Sequence, residues 1–462
     1  MPDGHRVAAA TLSRLLDGWT TTHDDTLYLR LAEAMTDLIR SNTLPDGTIL
    51  PSQRSLAEAL GIARGTVTRV YETLAAKDLI EARQGTGSRI RSRGVINAVA
   101  GDARLITYAG HEGAEIDLTS GALPGLPTVA DAFRALDHAE LLAEVATDGY
   151  HPKGLQRLRE AVAARYTRDG LATEPAQILI TSGAQHAVWL IAHGLVSRGD
   201  EVAVEEPTYR GALEAFRHAG AQLVSIPVRE DGLDLDHLRR RFEHRPPRLL
   251  YCQPGVHNPT GIALSPSRHR QLADLAARFG VTVVDDTSFA ELALAPDEAL
   301  PPLPGALLVG TASKLFWGGL RVGWVRATPE LVDRLVSLRR AADLATPVAD
   351  QLVTASLLTR ADEARAARAT DLRARLAETE EVLTDRCPKW SWQRPAGGTG
   401  LWIDTGANAV TLVEHARRNG VRLVAGPAFS AFNGFAQHVR LPYWHPATTL
   451  AEALDRIDTR TG

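Results

Sequence analysis

From about Ile116 onward, short β-rich runs alternate with helical stretches, and this alternation limits the possible folds more than any other feature of the chain. The runs are Gln177–Thr181, Glu201–Val204, Leu223–Ile226, Arg248–Cys252, Val281–Val284 and Ala306–Gly310. Strands separated by helices argue for an α/β domain built on a mostly parallel, doubly wound sheet. Residues 330–462 read as a long helix followed by a smaller α/β subdomain.

At 462 residues the chain is too long for one ordinary domain. Residues 1–24 are poorly patterned and read as a loose leader. Leu27 to Arg40 carries Leu27, Leu31, Ala34, Met35 and Leu38 at the spacing of a helix with one buried face. Leu44-Pro45-Asp46-Gly47 breaks it. A second helix starts at Pro51-Ser52, with Ser52 as N-cap, and ends at Gly61. A third runs from Ala63 to Ala76 with Val67, Val70, Tyr71 and Leu74 inward. Two short strands follow, near Ile80–Arg83 and Ser88–Arg91. The expected division is therefore a small, mainly helical module over 24–91, a linker over 92–115 and an α/β domain over 116–462.

The whole chain has a formal charge of −4, so no global field points to nucleic acid. The average hides a local excess of basic residues from Leu50 to Arg93. Cys252 and Cys387 give neither a metal-ligand spacing nor a disulfide framework, so no metal is expected and a cytoplasmic setting fits. No stretch approaches the roughly 20 apolar residues of a membrane span.

Helix, short helix, turn, helix and hairpin is the order of a winged helix-turn-helix. Its third helix can carry Arg64, Gly65, Thr66, Thr68 and Arg69 into a major groove, where arginine reads guanine edges and hydroxyls reach bases or phosphates. The hairpin tip Arg83-Gln84-Gly85-Thr86-Gly87 turns as a wing would. The runs Leu50-Pro51-Ser52-Gln53-Arg54-Ser55-Leu56-Ala57, Leu60-Gly61-Ile62-Ala63-Arg64-Gly65-Thr66-Val67 and Arg83 to Gly87 resemble the GntR family of bacterial regulators. The resemblance implies operator DNA as partner, contacted by Arg54, Arg64, Gly65, Thr66, Thr68, Arg69, Arg83, Gln84, Thr86 and Gly87.

Only four lysines occur against forty-seven arginines, and Lys314 stands after an apolar run and Thr311-Ala312-Ser313. A lysine amine can form an imine; a guanidinium cannot at neutral pH. Around it the sequence offers the rest of a carbonyl-cofactor pocket. Ser182, Gly183, Ala184 and Gln185 follow a strand and open a helix, a place for a phosphate. Thr311 and Arg321 offer a hydroxyl and a charge for the same phosphate. Asp286 can face a cationic ring nitrogen, with Asp285 as the alternative, and Tyr209 can stack on that ring. Pyridoxal 5'-phosphate (PLP) needs each of these features.

The order of Asp148-Gly149-Tyr150, Asn258-Pro259-Thr260-Gly261, Thr311-Ala312-Ser313-Lys314, Gly319-Leu320-Arg321 and Val439-Arg440-Leu441 resembles fold-type I PLP-dependent aminotransferases. The resemblance implies Lys314 as the catalytic lysine and Asn258 on the cofactor's phenolic oxygen. It also implies Ser313 near the phosphate, Arg440 on a substrate or effector carboxylate, and Tyr150 reaching the neighbouring subunit's phosphate in a homodimer. The chain departs from the family's pattern after the aspartate. A tyrosine is usual there, and this sequence reads Asp286-Thr287-Ser288-Phe289, leaving Ser288 as the substitute hydroxyl.

The fusion as a whole resembles the MocR subfamily of GntR-type regulators. That implies a PLP-responsive transcriptional regulator, of vitamin B6 or of amine and amino-acid metabolism, with an amine or amino acid as a further effector. A catalytically active aminotransferase carrying a DNA-binding module is the alternative.

Overall fold

The computed structural model describes residues 7–16, 27–40, 44, 48–76, 79–83, 87–90 and 115–457. The chain divides into two units, Met1–Ile106 and Thr107–Gly462. The segment expected as a linker, 92–115, lies outside the described residues except for Glu115.

The first unit contains α1 (Ala9–Leu15), α2 (Leu27–Arg40), α3 (Gln53–Leu60), α4 (Arg64–Ala76) and the hairpin β1 (Ile80–Arg83) and β2 (Gly87–Ile90). Ser52 caps α3 by accepting from the amide of Ser55, and Gly61 ends it at φ 66°, a left-handed position that glycine occupies without steric cost. Val67, Val70, Tyr71 and Leu74 of α4 are all buried, as their spacing predicts. On α2 the buried face is displaced from the expected one. Leu31, Ala32, Met35 and Ile39 are buried, whereas Leu27 is 37% exposed.

The leader expectation fails over residues 7–16; residues 1–6 and 17–24 lie outside the described residues. Residues 9–15 form a helix whose Leu12 is fully buried, with Leu16 just beyond it, in the same core as Leu31, Met35 and Val70. Val7, Leu12 and Leu16, the buried positions of this stretch, are too few to show a period by themselves. They become legible only against the surface that they cover.

In the second unit, β3 (Ile116–Asp117) precedes β4 (Ile178–Thr181), β5 (Glu201–Glu206), β6 (Gln222–Arg229), β7 (Gly232–Leu233), β8 (Leu249–Cys252), β9 (Thr282–Asp286), β10 (Leu307–Thr311) and β11 (Gly323–Arg326). Strands β4 to β11 form one eight-stranded sheet in the order β4-β11-β10-β9-β8-β5-β6-β7. The central pairs are parallel; β11 runs antiparallel to both neighbours, and β7 antiparallel to β6. Every residue of β4, β8 and β10 is buried, which a sheet covered by helices on both faces requires. Successive side chains alternate between two cores. Leu250, Cys252 and Val283 face one, and Leu249, Tyr251 and Val284 the other.

The long helix expected from residue 330 is three helices, Pro329–Ala342, Val348–Leu358 and Ala361–Arg386. Pro347, which cannot continue a helix, stands at the first break, and Leu344 there takes φ 63°. The small subdomain contains β12 (Ser391–Trp392), β13 (Gly400–Asp404), β14 (Val421–Arg422), β15 (Val424–Ala425) and β16 (His438–Pro442). Strands β12-β13-β16-β15 make an antiparallel sheet, and β14 pairs with β3. Leu401, Ile403, Val439 and Leu441 face its core, which turns Trp402, His438 and Arg440 to the other face. Among the described residues no helix is long and apolar enough to cross a membrane.

Candidate functional site

Strand β10 delivers Lys314. The strand runs into the one-turn helix Ala312–Leu315, capped by Thr311, whose hydroxyl accepts from the amide of Ser313 at 3.0 Å. The half-buried Lys314 directs Nζ to the carbonyl of Gly121 at 3.0 Å and lies 5.0 Å from the centroid of the Phe289 ring. Phe289 thus occupies the position where a tyrosine was looked for, with an apolar ring facing the amine.

The alternation along β9 separates the two aspartates. Asp286 shares a face with Tyr251 and accepts from the Tyr251 hydroxyl at 2.6 Å and from the Ser288 amide at 3.0 Å. Asp285 lies on the opposite face, where it accepts from the Leu303 amide at 2.9 Å and lines a separate cavity with Tyr166 and Arg165. Burial pushes both carboxyls up, Asp285 to about 7. For Asp286 the donors on Ser288 and Tyr251 and the charge of Lys314 pull the other way.

At the end of β4, Gly183 takes φ 91° and starts the helix Ala184–Leu195. Arg321, itself in the left-handed region at φ 49°, donates through Nη2 to the Ser182 carbonyl at 2.7 Å. A Cβ on Gly183 would come within 2.9 Å of that nitrogen, so the guanidinium reaches its place because the residue is glycine. The Ser182 hydroxyl donates to Asp343 at 3.1 Å, and the fully buried Arg339 holds Asp343 at 2.9 Å. Two expected phosphate ligands are placed differently from expectation. The Thr311 hydroxyl donates to the Val322 carbonyl, which makes it a cap and a strand tie. The Gln185 amide donates to the Gly211 carbonyl.

Tyr209 stands at the N-cap position of the helix Arg210–His218, without a side-chain capping bond, and lies against Gly211. Asn258 is buried at the start of the turn 258–260 that follows β8. Arg440, also buried, donates through Nη2 to the Thr399 hydroxyl at 2.8 Å, and Thr399 donates to the Gly121 carbonyl at 3.2 Å. Gly121 therefore ties Arg440 to Lys314 through a single carbonyl. Tyr150 is 60% exposed.

Three enclosed polar atoms of candidate residues have no hydrogen-bond partner among the described residues: Asn258 Oδ1, Gln185 Oε1 and Ser313 Oγ. Buried polar atoms are rarely left so, and three of them on candidate residues fit a ligand with several hydrogen-bonding groups.

Sequence reasoning missed Tyr251, Gly121 and Thr399. Tyr251 carried the one usable signal, a polar tip inside an otherwise apolar strand. It also missed a buried cluster in which Glu205 accepts from the Gln253 amide at 2.9 Å and lies 3.4 Å from His257. Burial raises Glu205 well above the usual carboxylate range and lowers His257 to about 3.

In the first unit, Arg64, Gly65 and Arg69 of α4 are exposed and Thr66 is half-buried. The Arg69 guanidinium lies 5.6 Å from the centroid of the Tyr28 ring. Arg54 is exposed and paired with Glu58 at 3.0 Å. Thr68 departs from expectation: its hydroxyl lies 3.0 Å from Gln53 Oε1, so it ties α4 to α3. Arg83 and Gly87 pair across the hairpin, whereas Gln84 and Thr86 lie outside the described residues.

Residues 114–457 match the family described as aminotransferase class I and II, and residues 27–90 match the gntR family of bacterial regulatory proteins. The chain is 30% identical over 338 residues to the probable rhizopine catabolism regulatory protein MocR of Rhizobium meliloti, covering 67% of each chain. It is 33% identical over 311 residues to 2-aminoadipate transaminase of Thermus thermophilus, covering 64% of this chain and 75% of the relative. Among solved structures it resembles the alpha-aminoadipate aminotransferase LysN of Thermus thermophilus, complexed with N-(5'-phosphopyridoxyl)-L-leucine. The TM-score is 0.67 at 28% identity, covering 74% of this chain and 91% of that one. A GntR-type helix-turn-helix and an aminotransferase fold in one chain place it in the aminotransferase class I and II family, among the MocR-type transcriptional regulators.

Proposed function

We propose that the protein is a DNA-binding transcriptional regulator that responds to PLP and to an amine or amino acid reaching the same site. The observation that carries this reading is the set of unpartnered polar atoms on Asn258, Gln185 and Ser313, in a chain that also carries Lys314, Asp286 and exposed arginines on a GntR-type helix. PLP supplies a carbonyl for an amine and an electron sink for the bond next to it. Lys314 would hold it, and Asp286, oriented by Tyr251 and Ser288, would face its ring nitrogen. Asn258 and Ser288 would meet its phenolic oxygen, and Tyr209 would stack on its ring. Ser182, Gly183, Ala184, Ser313 and Arg321 would form its phosphate cup, completed by Tyr150 of a second copy in a homodimer. To act as a switch, the ligand must favour one arrangement of the protein by differential contacts. Visible spectra during PLP titration, paired with footprinting on the protein's upstream DNA, test this. A PLP-dependent change in DNA affinity is expected, and equal affinity with and without PLP rejects the reading.

A second reading, turnover as an aminotransferase, is favoured by Arg440, a buried fork whose Nη2 is bonded to the Thr399 hydroxyl. Sustained transfer from an amino donor to a keto acceptor would establish it.

A further inference from the structure

The face of the small sheet that carries Arg440 continues outward into a groove of about 1050 Å³. Trp402 stands directly across from Arg440 in the β13–β16 register, and His438 across from Asp404 two residues further along. Residues directly opposite in an antiparallel pair share a face, so Arg440, Trp402, His438 and Asp404 line one surface. The other wall includes Pro207 and Thr260, each two residues from a candidate site residue, Tyr209 and Asn258.

The groove is aromatic. Trp402 stacks on His438 with centroids 5.1 Å apart, and Phe435 meets Trp402 edge-on at 5.6 Å. Phe435 holds φ 61°, a left-handed conformation that a bulky residue adopts only when its surroundings impose it. A Cβ on Gly426 would collide with the Phe435 carbonyl oxygen and Cβ, so glycine there admits the Phe435 backbone. The wall is therefore built at a conformational cost.

The groove is also acidic. Of its charged lining residues, Arg229 is paired with Asp234 and Asp231 with Arg268. Glu230 and Asp404 have no ion-pair partner among the described residues. Burial lowers the His438 imidazole below its usual range, against the opposing pull of the Asp404 charge. Aromatic faces beside unbalanced carboxylates attract an organic cation.

We propose that this groove receives the cationic end of a basic amino acid whose carboxylate is held by Arg440. The proposal rests on the reading of Lys314 and Arg440 as the effector site. The two-residue step from Arg440 to His438 spans roughly 7 Å along the strand, within reach of a lysine or arginine side chain.

The test titrates L-arginine, L-lysine and L-norleucine into the PLP-loaded full-length protein, read by calorimetry and by the visible spectrum. The two basic amino acids are expected to bind about tenfold or more tightly than norleucine. The doubly substituted chain Glu230→Gln, Asp404→Asn should lose that preference. Asparagine keeps an oxygen for the Gly406 amide that Asp404 now accepts at 2.9 Å, so the turn is retained. Equal or tighter binding of norleucine, or a preference that survives both substitutions, overturns the proposal. N-butylguanidinium separates the two readings, since it needs neither Arg440 nor Lys314. If it binds in an Asp404-dependent way while no amino acid binds, the groove stands and the effector-site reading falls.

Discussion

Tyr251 and Asp286 come from neighbouring parallel strands and meet phenol to carboxylate at 2.6 Å, with both groups buried. Burial disfavours the ionised form of Asp286, and the Tyr251 hydroxyl is one of the donors that oppose it. Tyr251→Phe removes that donor without opening a cavity. Hydrogen bonds to charged groups contribute about 1.5–3 kcal/mol, so PLP affinity should fall about ten- to a hundredfold. Spectral titration measures it, and an unchanged affinity would show that Asp286 does not need the phenol.

Asp285 predicts a pH dependence. Its folded-state value is about 7 against an ordinary 3.8. Between about pH 4 and 7 the folded chain holds a proton that the unfolded chain has lost, so this contribution to stability falls as pH rises, by at most about 1.4 kcal/mol per unit. His257, lowered to about 3, works in the opposite direction between its folded and ordinary values. Asp285→Asn should therefore gain stability relative to the parent as pH rises from 5 to 7, and the difference should level off above that. Denaturant midpoints at pH 5, 6, 7 and 8 measure it; parallel profiles for the two chains would refute it.

Leu12→Ala distinguishes a helix of the core from a leader. The residue is fully buried. Leucine-to-alanine changes in such positions cost about 2–5 kcal/mol. The expected outcome is a clear fall in the denaturant midpoint at which DNA binding is lost. A shift within error would return residues 9–15 to the status of an appendage.

Arg64 is exposed at the start of α4. If it reaches phosphate, Arg64→Ala should weaken binding similarly on all DNA sequences and reduce the salt slope by about one. A loss confined to one base pair of the operator would instead assign it to base reading.

Much of the fold was legible because both periodicities were strong. The apolar runs at Arg248–Cys252 and Ala306–Gly310 announced β8 and β10 to within a residue, and Ser52 and Gly61 bounded α3 by cap chemistry alone. The site was legible as residue types in order, and its geometry was not. A two-residue strand periodicity tells that Asp285 and Asp286 point apart but not which way each points; that depends on which core each strand face meets. Thr311 and Thr68 illustrate the same limit. A hydroxyl in a motif looks available until its neighbours are known, and these two are bonded to Val322 and Gln53.

The Gly121 carbonyl bears on how Lys314 variants are to be interpreted. It accepts from both Lys314 and Thr399, and a Cβ on this residue would sit 2.6 Å from the Arg440 guanidinium. Lys314→Ala therefore abolishes the amine's chemistry and also unfastens one of two donors from the segment that borders Arg440. A change in DNA binding by that variant would mix two causes. Lys314→Arg keeps a cationic donor that cannot form an imine, so the pair of variants together separates loss of reactivity from loss of a tether.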